Sequence, residues 1–219
     1  MRNQKKLEEP IELRDMKIYW QKKVAENGSN YYMTKYRTPP IKKRLKEETH
    51  NKCIYCESKI GHNTPGDVEH KIPVSIHEEG RFEWQNLTIA CTECNRRKND
   101  YFDEDQMFLD PYFDDVENLL GHAGPFIFAT PGNEVAELSI RILELSEIDS
   151  RQELFSQKVS KLKEVNNLME RIVSVKNPLL KKMLIEDLLN MGEISSEYSA
   201  MVKSLITSCD GPWVNKGIE

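Results

Sequence analysis

Residues 53–100 read CIYCESKIGHNTPGDVEHKIPVSIHEEGRFEWQNLTIACTECNRRKND, and this stretch decides the fold. It opens on one C-x-x-C pair, Cys53 and Cys56, and closes on a second, Cys91 and Cys94, with thirty-four residues between them. A knuckle of this kind presents two sulfurs to one ion, so two knuckles supply the four thiolates of a tetrahedral zinc site. Chance pairs and a redox dithiol are the alternatives; two independent knuckles favour zinc. Such a site has no open coordination position, so its ion is expected to hold the fold and perform no chemistry. Stable disulfides are not expected in a chain that reads as cytoplasmic.

Three segments between and after the knuckles are chemically dense. DVEHKIP sets Asp67, Glu69 and His70 beside an apolar run closed by Pro73. EWQNLTIAC sets Asn86 before a strand-like segment that runs into the second knuckle. CNRRKND sets Asn95 directly after Cys94, with Arg96, Arg97 and Lys98 behind it. His62 and His77 sit in Gly-rich or charged loops and read as solvated loop residues.

The order C-x-x-C, acidic-His-x-x-Pro, W-x-N-L, C-x-x-C-N-x-x-K resembles the HNH endonuclease family in its zinc-stapled branch. The resemblance covers Lys52 to Asp100, close to a quarter of the chain. It implies a ββα-metal fold, in which a hairpin carries the first signature His, a loop the Asn, and a helix the third residue. That third position is Asn95, where the named pattern has His, so the chain reads as an H-N-N variant. An amide oxygen there favours a hard ion over zinc.

The chemistry also follows from the residue types. Hydrolysis of a phosphodiester needs an activated water and a counter-charge for the leaving oxygen. A neutral His accepts a proton near pH 7, which makes His70 the general base. Glu69 offers a carboxylate and Asn95 a carbonyl oxygen, an incomplete shell for Mg2+ or Mn2+ that water and a phosphate oxygen would complete. Asp67, on the same strand face as Glu69, is the rival ligand. Glu69 and His70 point to opposite faces of a strand, so one site uses both only at the strand's edge or end. By the resemblance, Asn86 orients His70 or props the loop, completing a catalytic set of His70, Asn86 and Asn95. Arg96, Arg97 and Lys98 are placed to hold flanking phosphates. Asn95 has a plainer alternative as a helix cap.

Composition bounds the rest. The 219 residues are 38% hydrophobic and 31% charged with a net charge of -5, too apolar for a disordered chain. No apolar run reaches the roughly 18 residues of a membrane span, and the charged N-terminus lacks the core of a signal peptide. The acidic total conceals an asymmetry. Met1 to Lys46 holds thirteen Lys/Arg against five Asp/Glu, whereas Tyr101 to Leu120 holds seven acidic residues and no basic one. The basic stretch is either a solvated helix surface or a polyanion contact. Within it, Ile11 to Asn27 reads as a helix with Met16, Trp20 and Val24 at i+4 spacing and Gly28 as its stop. SNYYMTKYRTPP reads as a turn or extended linker, and Ile41 to Asn51 as a short basic helix.

Beyond the core, PFIFATPGNEVAEL predicts a β-hairpin around Pro131, Gly132 and Asn133. The remainder reads as helical, with Phe155, Val159, Leu162, Val165, Met169 and Ile172 on one stripe and a break at Asn177-Pro178. The expected fold class is α+β, a ββα-metal core with a four-cysteine staple between N-terminal helices and a C-terminal helical region. The expected segments are a basic arm (1–51), a nuclease core (52–110), a connector with a hairpin (111–136) and a helical region (137–219). Together the CIYCE entry, the VEH-x-x-P site, the LDP exit and the segment SIRILELSEIDSRQELF are similar to the HNH subunit of Septu-type and retron-linked antiphage systems. That similarity implies an ATPase partner of the ABC/SMC-like class; the expected substrate is nucleic acid, DNA more than RNA. A stand-alone restriction or homing-type nuclease and a non-catalytic zinc-stapled binding module are the other readings. No membrane partner is expected.

Overall fold

Pro10 and Gly28 bracket the first helix, α1 (Ile11–Asn27), in a computed structural model that describes residues 1–61, 65–104 and 108–213. His62 therefore lies outside the described residues. Gly28 is left-handed (φ 56°) and its N–H bonds back to the Val24 carbonyl at 2.9 Å, a turn that glycine makes without a Cβ penalty. The apolar stripe is displaced from the expected one: Leu13 and Trp20 are buried, whereas Met16 is 37% exposed. Trp20 packs on Phe82 with ring centroids 5.7 Å apart. A seven-residue spacing keeps one narrow line inward, which a count of i+4 neighbours misses.

The segment expected as a turn or extended linker forms single helical turns, α2 (Asn30–Met33) and a 3-10 turn at Lys35–Arg37, and is not extended. Both pieces are too short for a helical period to show in sequence. Next comes α3 (Pro39–Glu48), opened by two prolines where the first N–H groups have no helical partner anyway. It buries Ile41, Leu45 and Glu48 at i, i+4 and i+7.

The ββα unit follows as expected. Strand β1 (Asp67–His70) pairs antiparallel with β2 (Leu87–Ala90), in register from Asp67 opposite Ala90 to His70 opposite Leu87, and α4 (Thr92–Lys98) comes next. A two-stranded ribbon alone is marginal in water. Here α3 packs on β2, α4 packs on β1, and every residue of β2 is buried.

The N-terminal segment completes this enclosure. Lys6 Nζ pairs with Glu48 Oε2 at 3.1 Å, donates to the Leu87 carbonyl at 2.6 Å and lies 3.8 Å from the Trp84 ring centroid. Trp84 Nε1 donates to the Leu7 carbonyl at 2.8 Å. Burial pushes the Lys6 ammonium down to about 8, against the attraction of Glu48. These elements form one compact unit, Asn3–Asp115.

A second unit runs from Val116 onward, together with Met1 and Arg2. It begins with α5 (Val116–Leu119) and a hairpin of β3 (Leu120–Ala123) and β4 (Phe126–Ala129). The hairpin turns at Gly124-Pro125, not around Pro131-Gly132-Asn133 as predicted. Asn133 serves instead as a helix cap, its Oδ1 accepting from Ala136 N–H at 2.8 Å. A Pro-Gly-Asn run signals a chain reversal of either kind, and here it starts α6 (Glu134–Ile142).

The remaining helices are α7 (Gln152–Ser174), α8 (Pro178–Met191) and α9 (Ser199–Ser208). Asn177 caps α8 by accepting from Leu180 N–H at 3.0 Å, which explains the break at Asn177-Pro178. On α7, Phe155, Val165, Met169 and Ile172 are buried as the stripe predicts, while Val159 is exposed and Leu154 takes an inward place. Among the described residues, no helix is long and apolar enough to cross a membrane.

Candidate active site and metal centre

Four cysteines converge behind the ββα unit. Their sulfurs all lie within 4.8 Å of one another, and Cys56 Sγ is 3.8 Å from Cys91 Sγ. A zinc ion with Zn–S bonds of about 2.3 Å has tetrahedral edges of about 3.8 Å, whereas a disulfide would bring two sulfurs to about 2.05 Å. The donor set therefore fits a tetrahedral ion, and Cys53, Cys56, Cys91 and Cys94 are all free thiols.

The second knuckle shows how the chain builds such a corner. Cys91 caps α4 through its sulfur, which accepts from Cys94 N–H at 3.4 Å. In the first, Cys53 N–H donates to the Ser58 carbonyl at 2.9 Å and Glu57 turns the chain with φ 62°. Within this cluster, hydrogen bonds from the neighbouring thiols, Cys53 first, hold the Cys56 thiol well below its ordinary value, while burial pushes the Cys53 thiol well up.

His70 closes β1. Its Nε2 lies 3.0 Å from the Arg81 carbonyl oxygen, and Tyr36 meets its ring edge-on with centroids 4.4 Å apart. A carbonyl only accepts, so Nε2 carries the proton; in the neutral ring Nδ1 is then the free acceptor. Burial pushes the imidazole down to about 4, and the positive charges of Arg81, Arg37 and Lys98 work in the same direction. The ring is thus neutral across the physiological range, with one nitrogen committed and the other able to take a proton.

Asn86 acts at one remove. Its Oδ1 accepts from Ile72 N–H at 2.7 Å, and its Nδ2 donates to the Ile72 carbonyl at 2.9 Å and the Gly80 carbonyl at 3.2 Å. The side chain ties the loop leaving His70 to the turn that delivers the Arg81 carbonyl. Its amide is engaged on both atoms.

Glu69 points away from His70, as strand alternation requires. It is 5% exposed and its Oε1 is 2.7 Å from Nζ of Lys98, a charge contact without hydrogen-bond geometry. Lys98 Nζ also donates to the His70 carbonyl at 3.0 Å. Burial raises the Glu69 carboxyl above its ordinary value, with Lys98 opposing the rise. Asn95 precedes Lys98 by three positions on α4, so the two share a face and the helix that packs on β1 carries both. The Asn95 side-chain amide makes no hydrogen bond among the described residues, and Asp67 is half-buried at the start of β1. Glu69 thus offers a buried carboxylate that Lys98 already neutralises, and Asn95 an amide oxygen; both are hard oxygen donors of the type a divalent ion takes.

The Arg96–Lys98 cluster differs from its sequence reading. Lys98 is 1% exposed and turned inward, so its ammonium holds Glu69 and the β1 backbone and does not face a surface phosphate. Arg96 and Arg97 both reach Glu93 Oε1, at 2.8 Å and 2.7 Å, and share that one carboxylate. Helical spacing explains this: a residue four positions after Cys94, which is itself buried, also returns to the inner face. The sequence reading missed Tyr36, Arg37 and Arg81. Tyr36 and Arg37 lie where Tyr31, Tyr32 and Tyr36 alternate with basic residues, a mix compatible with nucleic-acid contact; Arg81 has no such signal, and no spacing ties any of the three to His70.

Comparison with known proteins agrees with this geometry. Residues 53–101, which span the cysteine knuckles and the ββα unit, match the family model described as HNH endonuclease. The chain is also similar to the Septu protein PtuB of Bacillus thuringiensis, at 26% identity over 126 residues covering 57% of this chain and 46% of that protein. Similarity to Septu protein PtuB of Bacillus mycoides (strain KBAB4) is 28% over 161 residues, covering 59% of this chain and 53% of the relative. The chain thus spans about half the length of these curated relatives.

Proposed function

We propose that this chain is a metal-dependent nuclease that hydrolyses nucleic-acid phosphodiester bonds, DNA more than RNA, and acts as the effector of a Septu-type antiphage defence complex with an ATPase partner of the ABC/SMC-like class. The observation that carries the catalytic part is His70: a buried, neutral imidazole whose Nε2 is committed to the Arg81 carbonyl at 3.0 Å. Nδ1 is left to accept a proton from the attacking water. Asn86 keeps that geometry by pinning both loops that define it. Glu69 and Asn95 are the residues that would hold Mg2+ or Mn2+, with Asp67 as the rival carboxylate. When bound there, the ion supplies charge stabilisation for the phosphoryl oxygens and the leaving group. The four cysteines would hold zinc in a structural role, because no coordination position remains open.

Similarity to the Septu proteins supports the defence setting, and a nuclease that acts on invading DNA would work in the cytoplasm. A binding module of the same fold would have no need of a buried, neutral His whose one nitrogen is committed to a backbone carbonyl and whose other is left to accept a proton. The test is nicking of supercoiled plasmid by the chain with its co-encoded ATPase, in Mg2+ or Mn2+ and after their removal. Metal-dependent nicking by the wild type is the expected result. Equal activity in the wild type and His70→Ala would sink the assignment of His70.

A further inference from the structure

The cations expected to hold substrate are engaged elsewhere, so the basic residues around His70 on other elements carry the question. The 3-10 turn at Lys35–Arg37 buries Tyr36 against His70, and the next residue, Arg37, is exposed with its Cζ 4.9 Å from the Tyr36 ring centroid. Two ring contacts in series, of 4.4 Å and 4.9 Å, thus link the imidazole to this guanidinium. On α3, Lys42 and Lys46 lie one turn apart on the same face. Among the described residues, Arg37, Lys42 and Lys46 form no ion pair, whereas their neighbours Lys43 and Arg44 pair with Glu47 at 4.0 Å and 3.2 Å.

We propose that Arg37, Lys42 and Lys46 form the phosphate-holding surface of the nuclease site, with Arg37 seated on Tyr36 to grip the backbone phosphate beside the scissile bond. The proposal rests on the nuclease reading above and names the part of the chain that binds its substrate. Three like charges without an ion-pair partner on one surface repel each other unless a polyanion joins them. In keeping with that, the Lys42 ammonium is held below its ordinary value first by burial and then by Lys46, with Arg37 adding to the effect and Asp67 opposing it. The chemistry suits the position. A guanidinium presents two parallel N–H donors to phosphate, and stacking on a ring fixes its plane before the ligand arrives. Phosphate contacts of this kind set the register of the strand without reading bases.

The test is binding of a fluorescein-labelled DNA duplex of mixed sequence, with Ca2+ in place of the catalytic ion, over a series of salt concentrations. Removing one side chain that neutralises a phosphate flattens the slope of log K against log salt by about 0.9. Arg37→Gln is expected to flatten the slope by about 0.9, and Arg37→Gln with Lys42→Gln by about 1.8, with at least a tenfold loss of affinity at low salt. Arg37→Lys retains most of the slope, and Lys43→Gln, on the exposed side of α3 beside Glu47, flattens it less than Arg37→Gln does. In cleavage, Arg37→Gln raises KM more than it lowers kcat.

An unchanged slope in the double variant overturns the proposal, as does an equal flattening by Lys43→Gln. A wild-type chain that cleaves DNA while Arg37→Gln binds and cleaves like it defeats this inference and leaves the nuclease reading standing. A wild type whose binding depends on Arg37 but which never cleaves defeats the nuclease reading and leaves the surface in place. No binding of DNA by the wild type overturns both.

Discussion

Replacing Lys98 by Met removes one charge from the interior while nearly preserving shape. Lys98 Nζ is 2.7 Å from Glu69 Oε1 and 3.0 Å from the His70 carbonyl, with side chains 1% and 5% exposed for the two ionic partners. Breaking a buried pair by deleting one partner costs about 3–5 kcal/mol, because the other charge stays buried and uncompensated. The expected loss for Lys98→Met therefore lies in that range, and Glu69→Gln with Lys98→Met recovers at least about 2 kcal/mol of it, since the orphaned carboxylate is gone.

The assay is urea unfolding followed by tryptophan fluorescence in a Trp213→Phe background. Trp20 and Trp84 then report on the unit that contains the pair. A loss below about 1 kcal/mol for Lys98→Met, or a double variant no more stable than the single one, would refute the buried pair as described.

Other outcomes follow from the same geometry. Asn86→Ala strands the Ile72 N–H, Ile72 carbonyl and Gly80 carbonyl, so it is expected to cost about 3 kcal/mol in urea unfolding and to slow cleavage through His70; a cost under about 0.5 kcal/mol contradicts the clamp. The purified chain should carry about one zinc ion by metal analysis, and Cys94→Ser or strong chelation should abolish the near-ultraviolet dichroism of the Asn3–Asp115 unit. A metal-free chain with undiminished stability would remove the staple. The His70 ring binds its proton less tightly in the folded chain, at about 4, than in the unfolded chain, at about 6.5. Its contribution to stability is thus complete above about pH 6.5 and lost as pH falls toward about 4. A ring-carbon NMR titration reads this directly, and a midpoint near 6.5 in the folded chain contradicts the buried neutral ring.

Much of the architecture was legible because its signals are local. Each C-x-x-C pair needs only its own turn, and Gly28 and Asn177 mark helix ends through backbone constraints that act within a few residues, whereas the helix expected over Ile41–Asn51 begins at Pro39 and ends at Glu48. The hairpin was legible as an element but not in position, since Pro-Gly-Asn suits a strand turn and a helix start equally. Long-range pairing was hidden. The acidic residue before His70 was legible as a ligand candidate, yet nothing local says that Lys98 comes back to meet it across the ββα unit. Tyr36 reaches His70, with Arg37 on the Tyr36 ring, only because the basic arm folds onto the strand pair, a tertiary arrangement without a sequence period. The whole-chain acidity misleads for a similar reason: free cations gather at one place, and the excess of acidic groups lies elsewhere.

The central claim is that His70 takes the proton from the attacking water. Its most direct test is the single-turnover rate of DNA cleavage by His70→Ala, at saturating divalent ion and enzyme, with zinc content and DNA affinity matched to the wild type. The account requires a fall of about 10²–10⁴ in that rate with binding unchanged. A variant that keeps its fold, its zinc and its affinity, and cuts within a factor of a few of the wild-type rate, would contradict it.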